Sequence, residues 1–457
     1  MSAPSWGKGA AGRSSDDRKG AMKLRPSMGT GRRWLVLAAA VFVVFGALGL
    51  SRFSYTSILP FMQAGLRLSN SQAGGLATAN LAGYMAMAVV GGALASRFGS
   101  RYVITGGLLL AALGMVVTGL AESYGPAVGG RFLSGVGAAA ASVPAHTMVA
   151  LWVPSHRRAL AAGIAATGCS LGLVLVGPLI PFLMASWGPG GWRSTWLLLA
   201  GAVVIIALMG AVVMRNRPAE RPARHQAPAT RRPDAFEHPA GWKRIYLTGK
   251  VWQLGALYFL FGFAYMAYLT FFTKRLIADA GYSAQDAGTV FMILGWASLV
   301  CGILWGWVAD RVGRERAMAL ILLIQALAYS LLGLSTGFGP VMISAVLFGV
   351  TAWGVPAIMA AVSSDLVGPA LAPAAYGFLT VFHGFGQAAG PYVAGRLADV
   401  LLTFSGSYLM AGGVAFLGAL GMMAYRRAGS AAREPVSTST PAQSAASETT
   451  AYQGRLS

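Results

Sequence analysis

The chain has 457 residues, of which 56% are hydrophobic and only 11% charged, with a formal net charge of +21. Soluble domains carry roughly a quarter charged residues, so this composition excludes a single water-soluble core and calls for lipid as part of the solvent. The positive charge does not point to nucleic acid, because Lys and Arg fall in short segments between apolar stretches and form no single basic face.

Residues 1–33 read as a polar, Gly/Ser-rich tail without the short apolar core and small-residue cleavage site of a signal peptide, and Met22 or Met28 offers a start alternative to Met1. A bilayer core asks for about 20 apolar residues per helix. Stretches of that size lie near 34–60, 73–94, 102–121, 126–151, 158–184 and 193–214, then near 252–273, 287–308, 317–335, 340–363, 374–396 and 403–425. The predicted fold class is therefore an all-α membrane protein of twelve transmembrane helices. Residues 34–214 and 252–425 are the expected six-helix bundles, 215–251 a Pro- and Arg-rich cytoplasmic linker, and 426–457 a Ser/Thr-rich cytoplasmic tail. With both termini inside, most of the 35 Lys and Arg fall on the cytoplasmic side. The exceptions are Arg67, Arg193, Lys274, Arg275 and Arg396 in outer segments, and Arg52 and Arg131 within spans.

Charge inside a membrane is expensive, about 2.5–3.5 kcal/mol per group on insertion scales, which makes Arg52 and Arg131 the first candidates for function. At about 1.5 Å per residue, Arg52 lies roughly 27 Å along helix 1 from Trp34, and Arg131 roughly 30 Å along helix 4 from Leu151, so both are placed to reach one cavity. No Asp or Glu occupies the middle of a span to neutralise them. Two uncompensated guanidiniums favour an anionic solute, whose carboxylate or phosphate fits the arginine fork. The competing reading of Arg131 is a structural residue bonded to carbonyls of helix 1 or 5.

Polar and aromatic residues at mid-span extend the candidate substrate site. Along the chain these are Tyr55 on helix 1, Asn80 and Tyr84 on helix 2, Tyr265 and Tyr268 on helix 7, Trp296 on helix 8, Trp353 on helix 10, and His383 and Gln387 on helix 11. Tyr258, Phe261, Tyr265 and Tyr268 share one face of helix 7, a stripe that equally serves helix packing. Asn80 and Gln387 are equally able to serve as interhelical hydrogen-bonding groups. His146 and His383 are the embedded groups whose ordinary pKa lies near neutrality, so either is a candidate proton carrier or a neutral core residue. Cys169 and Cys301 have neither metal-ligand nor disulfide spacing and read as packing residues. No Walker motif, paired carboxylates, nucleophile elbow or metal cluster appears, so neither enzyme chemistry, a cofactor nor a bound metal is expected.

The two halves repeat at an offset of 214 residues. Leu68 to Gly74 matches Tyr282 to Gly288, and Ala95 to Arg101 matches Ala309 to Glu315. Gly135-Val136 pairs with Gly349-Val350, Gly163 with Gly377, Gly172 with Gly386 and, after a one-residue shift, Gly177-Pro178 with Gly390-Pro391. Parallel repeats of this kind place a solute site at their shared interface near the membrane midplane.

The run from Gly306 through Asp310, Arg311, Gly313, Arg314 and Arg316 resembles the G-x-x-x-D-R-x-G-R-x-R loop of the major facilitator superfamily. Its counterpart, Gly92 to Arg101 with Arg97 and Gly99, departs from that pattern because Ser96 stands where the Asp is expected. Arg131, Gly135 and Gly137 resemble the R-x-x-x-G-x-G signature of helix 4. Arg52-Phe-Ser-Tyr55-Thr56-Ser-Ile-Leu-Pro60 with Asn80-Leu-Ala-Gly83-Tyr84 is similar to the bacterial YbfB/YjiJ-like branch. The resemblance implies alternating access by a monomer in a bacterial inner membrane. It assigns gating to Arg97, Gly99, Arg101, Asp310, Arg311, Gly313 and Arg314, and to bends at Gly177-Pro178 and Gly390-Pro391.

The expected function is secondary transport of a small, carboxylate-like anion, with a proton or counter-anion as coupling partner. Two rivals stand beside it: an exporter of amphipathic or cationic compounds, which would want an acidic residue in the cavity, and a transporter-like sensor.

Overall fold

The computed structural model describes residues 30–152, 158–188, 190–214, 247–367 and 371–431. Among these residues there is no strand, and the helices group into twelve units. α1 runs through Thr30–Val44, a π-helical stretch Phe45–Phe53 and Ser54–Leu66. The first half continues with α2 (Asn70–Phe98), α3 (Ser100–Leu120), α4 (Tyr124–Trp152), α5 (Arg158–Trp187) and α6 (Gly191–Val213). α7 consists of Gly249–Thr270 and Phe272–Ala278, α8 of Ala284–Leu299 and Cys301–Val312, and α9 of Arg314–Leu334. α10 consists of Phe338–Gly349 and Gly354–Val367, followed by α11 (Ala372–Leu401) and α12 (Ser405–Ala431). The expected tails and linker fall largely outside the described residues.

The 214-residue repeat is visible in local geometry. Ser69 caps α2 in a capping box with Gln72, and Ser283 caps α8 by accepting from the Asp286 amide. Gly99 and Gly313 both have φ of 90°, at the turns joining α2 to α3 and α8 to α9. That region is costly for any residue with a Cβ, which is why both loops carry glycine there.

Nine units are long and apolar enough to cross a membrane, and the two segments of α8, bent by 44°, make a tenth. α2 and α11 fall short. Their Gly, Ala, Thr, Asn and Gln residues suit a different environment, because the two helices pack on each other between the halves. α5 and α8 form the second seam between halves. Within the first half, α4 lies against α2 and α3. At Gly135 the approach is so close that a Cβ would stand 1.9 Å from the Asn80 carbonyl oxygen.

The interruptions do not fall at the Gly-Pro pairs. α5 and α11 run unbroken through Pro178 and Pro391. The helical pattern changes instead at Phe45–Phe53 in α1, at Phe271 in α7, at Val300 in α8 and between Gly349 and Gly354 in α10. An unbroken helix tolerates Pro where the freed carbonyl finds other partners, as it does between packed helices.

Candidate functional site

Arg52 lies near the end of the π-helical stretch of α1, the kind of irregular turn that recurs at functional sites. Its Nη2 donates to Gln387 Oε1 of α11 at 2.7 Å and contacts Met266 Sδ of α7 at 3.8 Å. The guanidinium stands over Phe53 at 5.6 Å and Tyr84 at 5.4 Å. Thus three helices and both halves meet on one half-buried cation.

The Gln387 amide is oriented in turn. With Oε1 accepting from Arg52, Nε2 is the donor to His383 Nε2 at 2.5 Å. His383 therefore holds a neutral ring protonated at Nδ1, and its other nitrogen is engaged. The ring is stacked on Tyr258 at 4.2 Å with 6° between planes, and on Phe261 at 5.4 Å. Tyr265 continues this stack, facing Phe261 at 5.7 Å and Phe348 at 6.0 Å, and meets Trp353 edge-on. Trp353 packs on Phe53 and donates to Ser170 Oγ of α5 at 3.2 Å.

Arg131 occupies a different environment. It is 1% exposed, donates through Nη1 to the Ser51 carbonyl of the π stretch at 2.9 Å, and sits over Tyr55 at 4.6 Å and Trp196 at 5.4 Å. Tyr55 is held by donating to the Ala73 carbonyl, and Asn80 by donating to the Arg131 carbonyl. Arg131 thus fastens α4 to the irregular turn that presents Arg52. Among the described residues no ion pair is seen for either arginine, in contrast to Arg275 with Asp279 and Arg314 with Asp365.

Arg52, Tyr55, Asn80, Arg131 and Thr270 line one small cavity. Four of them each keep a buried polar atom without a protein partner: Arg52 Nε, Asn80 Oδ1, Arg131 Nε and Thr270 Oγ1. Two cationic donors, a hydroxyl and an amide acceptor thus face one void about the size of a single water molecule, and buried polar groups of this kind demand partners.

Arg52, Tyr84, Tyr265, Trp353, His383 and Gln387 are therefore brought together, with Tyr55, Asn80 and Arg131 behind them. Tyr268 is not among them: it is fully buried, bonds Ser344 at 2.9 Å and packs on Tyr329, Phe348 and Tyr408 inside the second half. Trp296 is 55% exposed and makes none of the hydrogen-bond or ring contacts that join the group. His146 bonds the Ser142 carbonyl of its own helix.

Of the residues assigned to gating, Arg97 and Asp310 are exposed. Arg101 stands over Tyr102 at 5.7 Å and Arg311 over Trp307 at 3.9 Å, while Arg314 pairs with Asp365. A Cβ at Gly177 would lie 2.5 Å from the Gly288 carbonyl across the α5–α8 seam, and one at Gly390 2.3 Å from the Phe263 carbonyl within the second half.

Sequence reading missed Met266, Thr270 and Ser170. Met266 had a usable signal, because it is the repeat counterpart of Arg52, 214 residues on. Thr270 and Ser170 had none, since hydroxyls in membrane helices ordinarily bond their own backbone.

The family model described as "Uncharacterised MFS-type transporter YbfB" matches residues 44–423. A hexuronate transporter of Bacillus subtilis is 27% identical over 416 residues, covering 85% of this chain and 95% of the relative. The human monocarboxylate transporter 11 is 27% identical over 398 residues, covering 84% of this chain and 81% of the relative. Among solved structures, a bacterial homologue of the human lysosomal transporter Spinster, in an inward-facing and occupied conformation, aligns with a TM-score of 0.69. It shares 16% identity over 86% of this chain and 97% of that chain.

Proposed function

Because the chain belongs to the major facilitator superfamily, in the family of YbfB-type transporters, we propose that this multi-pass membrane transporter carries a small, carboxylate-like organic anion by alternating access. The observation that carries the reading is Arg52: a cation at mid-helix, shared by the two halves, whose strongest partner is a neutral amide oxygen at 2.7 Å. A carboxylate replacing Gln387 Oε1 there exchanges a neutral acceptor for a charged one, and charge-assisted bonds are roughly twice as strong. Tyr84, Tyr265 and Trp353 supply apolar walls with polar edges, the usual lining of a solute pocket. Relatives named for hexuronate and monocarboxylates support the same chemical class. The distribution of Lys and Arg supports placing both termini on the cytoplasmic side of a bacterial inner membrane, and the superfamily resemblance supports a monomer.

The test is the thermal stability of the purified protein against a panel of organic anions and cations, in wild type and Arg52→Ala. The expected result is stabilisation by one or more carboxylates that disappears in Arg52→Ala. Stabilisation by cations alone, or by anions equally in both proteins, overturns the anionic reading in favour of an exporter of cationic compounds.

A further inference from the structure

The α2–α11 seam is held at one tip by a carboxylate that crosses between the halves. Asp399, near the end of α11, accepts from the Asn70 amide through Oδ1 and from the Ser71 amide through Oδ2, each at 2.8 Å. These are the first two residues of α2. An α-helix leaves its first four amides without intrahelical partners, and its N-terminus carries partial positive charge that favours an anion. At α2 every one of these amides is satisfied: the Ser69 amide donates to Gln72 Oε1, the Gln72 amide to Ser69 Oγ, and Asp399 of the other half accepts from the remaining two.

Below this tip the two backbones touch. A Cβ at Gly395 would lie 2.2 Å from the Asn70 carbonyl oxygen, and one at Gly74 2.2 Å from that of Pro391. Thr78 donates to the Ala388 carbonyl at 2.6 Å. The seam cannot open at this end without drawing Asp399 off the α2 amides and exposing them.

The other seam lacks the device. With the one-residue shift that aligns the Gly-Pro pairs, Asp399 corresponds to Ser186 of α5, whose hydroxyl donates to the Phe182 carbonyl of its own helix. The N-terminus of α8 is capped locally by Ser283.

We propose that Asp399 is an inter-half latch, a carboxylate of α11 that caps α2 and biases the carrier toward the state closed at this end. The bias is independent of which solute is carried. The α2–α11 seam carries this carboxylate cap and the α5–α8 seam does not, so opening at this end requires Asp399 to leave the α2 amides in addition to parting the Thr78 bond to α11 and the Thr56 and Thr273 bonds between α1 and α7.

The experiment uses the full chain without added solute. Spin labels are placed at Leu120 and Leu334, which are 61% and 74% exposed at the same end of α3 and α9, outside both seams. Pulsed dipolar spectroscopy of the otherwise wild-type protein is expected to give mainly the shorter separation. In Asp399→Ala the longer-distance population is expected to rise at least about threefold, and in Asp399→Asn, which keeps one acceptor oxygen, by less. Hydrogen exchange at Asn70 and Ser71 is expected to quicken in the same order, which keeps the idea testable in Asp399→Asn alone if the alanine variant does not fold. Unchanged distance distributions and unchanged exchange in a folded variant would remove the latch.

Discussion

Arg52 and Arg131 are both unpaired cations inside membrane helices, yet the protein treats them in opposite ways. Arg131 is enclosed by Tyr55 and Trp196 and anchored on a backbone carbonyl, so its charge is absorbed by fixed groups of its own half. Arg52 stays half-buried and is met by Gln387, a neutral side chain of the opposite half. A buried charge in a membrane is therefore not in itself a solute site. What distinguishes the two is whether the partner is fixed backbone or a side chain of the opposite half, the contact that we propose a solute replaces.

The largest expected effect comes from removing the fixed cation. Arg131→Ala empties a fully buried site and frees the Ser51 carbonyl, a loss of about 3–5 kcal/mol by analogy with large core truncations. The apparent melting temperature should fall by about 6–12 °C in a thermal unfolding scan. A smaller shift than that of Arg52→Ala would reverse the division of roles drawn between the two arginines.

A moderate effect should follow from giving Arg52 a permanent anion. Gln387→Glu places a carboxylate where the amide oxygen now lies at 2.7 Å. The internal charge competes with any solute, so affinity for organic anions should drop at least about tenfold, or about 1.4 kcal/mol. Titration followed by thermal stability measures it, with a raised melting temperature in the absence of solute. Undiminished anion binding would detach Gln387 from the site.

The smallest effect belongs to Trp296, on the exposed face of α8. Trp296→Ala should leave anion-induced stabilisation within experimental error and alter stability by no more than about 0.5 kcal/mol. Loss of solute response in that variant would mean that the site extends beyond the group around Arg52.

Much of this was legible from the chain. Span positions, the 214-residue repeat and the two intramembrane arginines follow from hydropathy, self-similarity and the cost of charge in lipid, all of which are local or periodic properties. The partners of the arginines were not legible. Gln387 and His383 stand 335 and 331 residues from Arg52, and nothing in the spacing says which of several mid-span polar groups will face it. The Gly-Pro pairs suggested bends in α5 and α11, and both helices run continuously through Pro178 and Pro391. The irregular turns appear instead in α1, α7, α8 and α10. Trp296 and Trp353 looked alike as apolar aromatics at mid-span, and only rotation of their helices separated an exposed ring from one packed against Phe53.

By itself the sequence determined that this chain spans a membrane repeatedly, that it is a doubled six-helix unit, and that it holds two cations without acids to match. Those statements depend on transfer energies and on repetition, which are written residue by residue. Only the tertiary structure decided that Arg131 is a fastening and Arg52 a shared contact, that Gln387 is oriented by His383, and that Asp399 caps a helix of the other half. Each of these depends on which side chains two separate helices turn toward one another, and that is settled by the packing of both halves together.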